Sequence, residues 1–114
     1  EAILSAGFMK LDNLVAIVDY NKIQSLGNTK DVLNLEPFKK KWESFGWTAE
    51  EVNGHDFPKL LKVFKKLPFK KGRPSVIIAH TIKGKGIKNL ENTVKSHYIP
   101  PSETELEEVL KNLK

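Results

Sequence analysis

The chain has 114 residues, no cysteine, and 19 Lys and Arg against 14 Asp and Glu, for a formal charge of +5. That length fits one domain with a modest core, burying roughly two-thirds of its unfolded surface, and the absence of thiols excludes a disulfide framework and thiolate metal sites while being compatible with a cytoplasmic setting. No run approaches the roughly 18 apolar residues of a membrane span, which argues against a membrane partner, and no charged, apolar and small-residue series marks a signal peptide.

In chain order, Ala2, Ile3, Leu4, Ala6 and Phe8 make an apolar helical pattern. No capping residue precedes it, so it reads as the second half of a helix. Leu14 to Val18 is a continuous apolar run rather than an alternating one, which predicts a strand covered on both faces. It runs into Asp19, Tyr20 and Asn21. Glu36 to Phe45, with Pro37 at a first helical position, spaces Phe38, Trp42 and Phe45 as one apolar stripe for the core, and Gly46 stops it. Trp47 to Val52 is a second strand-like run. Asp56 is the expected N-cap of a helix on which Phe57, Leu60, Leu61, Phe64 and Leu67 share one face, and Pro68 ends it. Pro74 to His80 is the third strand-like run. A last helix from about Ser102 carries Leu106, Val109, Leu110 and Leu113, with Ser102 and Glu105 matching a capping box.

Strand-like runs separated by helical patterns are the rhythm of βαβ units and a parallel sheet. Right-handed crossovers would place the strands' carboxyl ends on one edge, where an open α/β sheet has its ligand crevice. Asn21 to Thr29, Gly54 to Asp56 and His80 to Gly86 would converge there. The long connections, 21–35 and 81–101, are of a kind usually functional or disordered.

Asn21 serves two readings. As an Asx residue it closes a turn. Alternatively, its amide oxygen and the main-chain carbonyl of Ile23 suit a hard cation such as Mg²⁺ or Ca²⁺, which would also ask for a carboxylate and phosphate oxygens. Lys83, Gly84, Lys85 and Gly86 follow the third strand, and glycine amides there can approach an anion closely while lysine adds a point charge. The order and spacing are not those of a P-loop, and a solvated loop is the other reading. Lysines cluster at 39–41, 62–71 and 83–88, while the tail is acidic at Glu103, Glu105, Glu107 and Glu108; most of the lysines belong to solvated helix faces. KVFKKLPFKKGR, from Lys62 to Arg73, mixes charge and aromatics as nucleic-acid surfaces do. Phe64 lies on the apolar helix face, however, and is expected in the core, which argues against nucleic acid as a partner.

LDNLVAIVDYNKIQ, LEPFKKKWESFGW, VNGHD, GRPSVIIAHTIKGKG and ENTVKSHY follow one another along nearly the whole chain. Together they resemble the diphosphate-binding domain of transketolase, in the form carried by an N-terminal section or subunit. The resemblance implies a three-layer α/β fold, a parallel sheet with helices on both faces, which binds thiamine diphosphate through Mg²⁺ or Ca²⁺. Asn21 matches the closing Asn of the family's metal-diphosphate motif, and Ile23 the position whose carbonyl completes the metal shell. The motif's opening GDG is absent, so residues 1–114 are expected to be a partial domain whose GDG half lies upstream of Glu1. Asp19 then reads as a turn residue beside the site.

The resemblance gives His55 a place at a strand end, either anchoring the turn or near the cofactor. His80, Lys83 and Gly84 fall in a diphosphate neighbour or active-site lid. His97 matches a histidine that faces the substrate channel, where it helps bind the sugar and handle protons, work suited to a side chain that changes charge near neutral pH. The family commonly has glycine where this chain has Tyr98, and an apolar residue and an acid where it has Ser25 and Leu26. The pocket wall and donor specificity are therefore left open.

The implied activity is transfer of a two-carbon ketol unit from a ketose phosphate to an aldose, with the cofactor as electron sink. The glutamate that activates the aminopyrimidine comes in this family from a pyrimidine-binding domain or C-terminal section subunit. Assembly as a dimer or heterotetramer is expected, and the chain alone is expected to be inactive. Other readings are a different thiamine diphosphate enzyme, such as a deoxyxylulose phosphate synthase or a dehydrogenase subunit, and a catalytically silent structural subunit.

Overall fold

A computed structural model describes residues 1–112; the expected helix position Leu113 lies outside them. The elements are α1 (Ala2–Phe8), β1 (Val15–Tyr20), β2 (Ile23–Gln24), β3 (Gly27–Asn28), α2 (Thr29–Val32) and α3 (Phe38–Ser44). They continue with β4 (Thr48–Asn53), α4 (Phe57–Phe64), β5 (Ser75–His80), a 3₁₀ turn (Val94–His97) and α5 (Glu103–Asn112). The chain divides into two compact units, one of residues 1–20 and 35–81, the other of residues 21–34 and the chain from Ile82 on.

The first unit is built around β5. Its run Val76, Ile77, Ile78 is fully buried, as a β-branched strand between two layers must be. β1 and β4 both pair with β5 in parallel, in the order β1-β5-β4. On one face Val76 and Ile78 pack with Tyr20, Ala49, Trp47, Ala6 of α1 and Trp42 of α3. On the other, Ile77 and Ala79 pack with Val52 and with Val63 of α4. Helices thus cover both faces, the three-layer arrangement expected from the sequence.

Three expectations about burial need correction. β1 is an edge strand, and its residues alternate, with Ile17 58 % exposed while Ala16 and Val18 face the core; the continuous apolar run that predicted two covered faces belongs in this sheet to β5. On α4 the buried residue is Val63, flanked by Leu60 and Leu67 at helical spacing, whereas Phe57, Leu61 and Phe64 are exposed. The inward face is therefore turned from the one read, and Phe64 is not in the core. Phe45 lies past the end of α3 and is also exposed.

Gly46, at φ +87°, reverses the chain after α3, as its expected role required. Gly7 is fixed by close approach, since a Cβ there would sit 1.8 Å from the Phe45 carbonyl oxygen. Trp47 secures the same region by donating its indole N–H to the Ile3 carbonyl at 2.8 Å.

The second unit gives structure to both long connections. β2 and β3 form an antiparallel hairpin with Ser25 and Leu26 as its two-residue loop, followed by α2, and β2 packs on the 3₁₀ turn. The capping box of α5 is formed: the Ser102 N–H donates to Glu105 Oε2 at 2.8 Å, and the Glu105 N–H to Ser102 Oγ at 3.3 Å. Among the described residues no helix is long and apolar enough to cross a membrane.

Candidate functional site

In the sheet unit, register aligns Tyr20, His80 and Asn53 at the carboxyl ends of β1, β5 and β4. Tyr20 is buried, and its hydroxyl donates to Glu36 Oε1 at 2.7 Å. The other Glu36 oxygen accepts the Phe38 N–H at 3.0 Å, so one carboxylate joins the end of β1 to the start of α3. The His80 ring lies edge-on to Tyr20 at 5.6 Å, with Nε2 3.0 Å from Glu51 Oε1. A carboxylate only accepts, so Nε2 carries the proton in this pair.

The turn after β4 is knitted to the same edge. The Gly54 N–H donates to the His80 carbonyl at 2.8 Å, and the His55 N–H to Asn53 Oδ1 at 2.9 Å. His55 therefore stands on an anchored turn with its residue exposed. Asp19 accepts a hydrogen bond from the Thr81 hydroxyl. It ties β1 to the residue after β5.

In the second unit, Asn21 makes the turn that its residue type announced. Asn21 Oδ1 accepts the Ile23 N–H at 3.0 Å, with Lys22 between them at φ +65°. The Thr29 N–H donates to the Lys22 carbonyl at 2.9 Å, which makes Lys22 and Thr29 a hydrogen-bonded pair and Ile23 and Asn28, next in register, a non-bonded one. In such a pair both main-chain polar groups point away from the partner strand. The Ile23 carbonyl consequently faces the same edge as its N–H, the edge that carries the Asn21 amide. Two oxygen donors on one edge fit part of the shell of a hard cation. Among the described residues no three His, Cys, Asp or Glu gather to hold a metal.

The glycine-rich segment is folded on itself. Gly84 has φ +73°, and a Cβ there would meet the Leu90 carbonyl oxygen at 2.6 Å; the Lys83 carbonyl accepts the Asn92 N–H at 2.9 Å. The anion that meets this loop in the structure is Glu91, whose Oε1 accepts the Gly86 N–H at 3.1 Å and lies 3.3 Å from Lys85 Nζ. A recess of about 160 Å³ beside it, lined in part by Gly86, Asn89 and Glu105, is smaller than the roughly 300 Å³ at which small-molecule sites begin. His97 ends the 3₁₀ turn, exposed, with its ring edge-on to Tyr98 at 5.0 Å.

Sequence reasoning thus found the strand ends and the Asn21 turn. It missed Glu51, Glu36, Glu91 and the reach of Tyr98. Glu51 sits on a strand read for its apolar residues, and no spacing rule links an acid to the amide of a glycine five residues earlier.

A sequence profile of the family described as transketolase, thiamine diphosphate binding domain, matches residues 1–113. An apulose-4-phosphate transketolase subunit from Phocaeicola vulgatus is 35% identical over 113 residues, 99% of this chain and 40% of that protein. The 6-deoxy-6-sulfo-D-fructose transketolase subunit SqwG of a Clostridium species is 39% identical over 97 residues, 85% of this chain and 35% of that protein. The crystal structure of Campylobacter jejuni transketolase superposes with a TM-score of 0.89 at 33% identity, covering 97% of this chain and 17% of that one. This chain therefore spans well under half of the relatives it matches, and over that span it belongs to the transketolase family, in its thiamine diphosphate binding domain.

Proposed function

We propose that the chain contributes part of the metal-diphosphate half of a transketolase assembly, which moves a two-carbon ketol unit from a ketose phosphate to an aldose. The observation that carries this is the family match over residues 1–113. Asn21 Oδ1 and the Ile23 carbonyl would hold Mg²⁺ or Ca²⁺, supported by their common edge on the hairpin. The carboxylate that such a cation also requires comes from outside residues 1–114, so these residues form a partial diphosphate-binding domain. When bound, thiamine diphosphate supplies the electron sink for breaking a carbon–carbon bond beside a carbonyl.

The chain's own residues bind, orient and move protons. Lys83 adds positive charge on the diphosphate side, Gly84 shapes the loop beside it, and His55 and His80 line the strand ends. Glu51 and Tyr20 hold the His80 ring in place. His97 meets the sugar and passes protons. Relatives are named as subunits and for different anionic sugars. Accordingly, a pyrimidine-binding domain or C-terminal section subunit completes this site in a cytoplasmic dimer or heterotetramer.

The test is reconstitution. The chain alone should show no ketol transfer. With its partner it should turn over a ketose phosphate, and thiamine diphosphate binding by calorimetry should need Mg²⁺ and vanish with EDTA. Full turnover by the chain alone, or binding indifferent to EDTA, would overturn the assignment.

A further inference from the structure

The Tyr98 hydroxyl donates to the Ser25 carbonyl at 2.9 Å, across 73 residues of sequence. Ser25 is the tip of the hairpin that carries Asn21 and Ile23. The same tyrosine ring lies edge-on to His97 at 5.0 Å and 74°. Its base is firm: the Tyr98 N–H donates to the Lys95 carbonyl at 3.1 Å, and Thr93 caps the turn by accepting the Ser96 N–H at 3.3 Å. A tyrosine with two torsions, braced at both ends, is a stiff strut.

An isolated two-stranded hairpin is marginal in water, and this one has strands of two residues each. A tie at its tip therefore matters more than one hydrogen bond in a core would. We propose that Tyr98 is a positioning residue: its hydroxyl clasps the hairpin tip while its ring sets the orientation of the His97 imidazole. The clasp couples the segment assigned to the metal with the residue assigned to the sugar. Its catalytic consequence rests on the reading of His97 as sugar-facing; the clasp itself rests on geometry.

The experiment uses the reconstituted assembly with Tyr98→Phe, which keeps the ring and removes the hydroxyl, His97→Ala, and the double variant. Amide hydrogen exchange at Thr29, whose N–H closes the hairpin, reads the clasp. Tyr98→Phe should speed that exchange by about 3- to 10-fold, the size of one net hydrogen bond. It should also lower kcat/KM for the sugar donor, and have little further effect in the His97→Ala background, the coupling expected of a residue acting through another. Wild-type exchange in Tyr98→Phe would overturn the clasp. Losses that simply add would overturn the positioning of His97. Full activity in His97→Ala would instead reject the sugar-facing reading, with the exchange result still deciding the clasp.

Discussion

At the scale of single residues, Asn21 is where structure and chemistry overlap. Its side chain accepts the Ile23 N–H, so part of its presence is explained by the turn alone. An amide oxygen has two lone pairs, however, and so can serve a turn and a cation together. Substitution separates the roles. Asn21→Asp keeps an acceptor for the turn, while Asn21→Ala removes both that acceptor and the proposed metal donor. In the assembly, Asn21→Ala should weaken Mg²⁺-dependent thiamine diphosphate binding by at least about 10-fold, far beyond its effect on the thermal midpoint, and Asn21→Asp should keep the hairpin amides protected. Calorimetry checks the first and hydrogen exchange the second; unchanged affinity in the alanine variant would remove Asn21 from the metal shell. Gly84 shows the reverse balance. Its positive φ and its approach to Leu90 already require glycine, so its place in a glycine-rich segment needs no anion to explain it. The residue types were legible in the sequence at both positions. The partners of the glycine-rich loop were not, because Leu90 and Glu91 reach it through turn geometry that no periodicity encodes.

Among the elements, the sequence was most readable where a local rule acts alone. Asp56 and Ser102 were identified as caps from composition and spacing, and both caps are formed. The α4 face was misread because Phe57, Leu61 and Phe64 are as apolar as Leu60, Val63 and Leu67 and also lie at helical spacing. Which stripe turns inward is decided by the sheet it meets, where Val52, Ile77 and Ala79 accept Val63. Hydrophobic pattern alone does not carry that information. The α4 cap has a testable pH dependence. The Lys59 side chain, whose Nζ lies 2.9 Å from Asp56, and the Lys59 N–H hold the Asp56 carboxyl below its ordinary value, against a smaller opposing effect of burial. A carboxyl depressed in the folded chain adds stability above its unfolded pKa, and this contribution disappears as pH falls through the lowered folded value. The Lys59 amide signal should therefore shift, and the start of α4 fray, only in acid below the usual carboxylate range. Asn is an equally good N-cap without a titration, so Asp56→Asn should abolish the shift while keeping the helix. An Asn variant whose Lys59 amide still moves through the same acid range rejects the assignment.

For the whole molecule, the two units differ in what holds them together. Both hydrophobic clusters belong to the sheet unit. In the other unit Leu90 is the one buried apolar side chain among the described residues. Yet of the residues proposed for the site, Asn21, Ile23, Lys83, Gly84 and His97 fall in that thin-cored unit, while His55 and His80 belong to the sheet unit; ligand-handling segments are often drawn from the less stable parts of a fold. A ligand that binds only the ordered form adds stability by mass action, about 2.7 kcal/mol at a hundred times its Kd. Amides of β2, β3 and the 82–92 turn should therefore exchange much faster than those of β5 in the free chain. In the assembly, saturating Mg²⁺ and thiamine diphosphate should slow them by up to about 100-fold, with β5 changing far less. Equal protection of the two units without ligand would refute the division of stability, whereas slowing confined to β5 would mean that the cofactor is held by the sheet unit. The measurement thus joins the chain's architecture to its proposed role, in which the sheet is stable without the ligand and the unit carrying the metal donors depends on it.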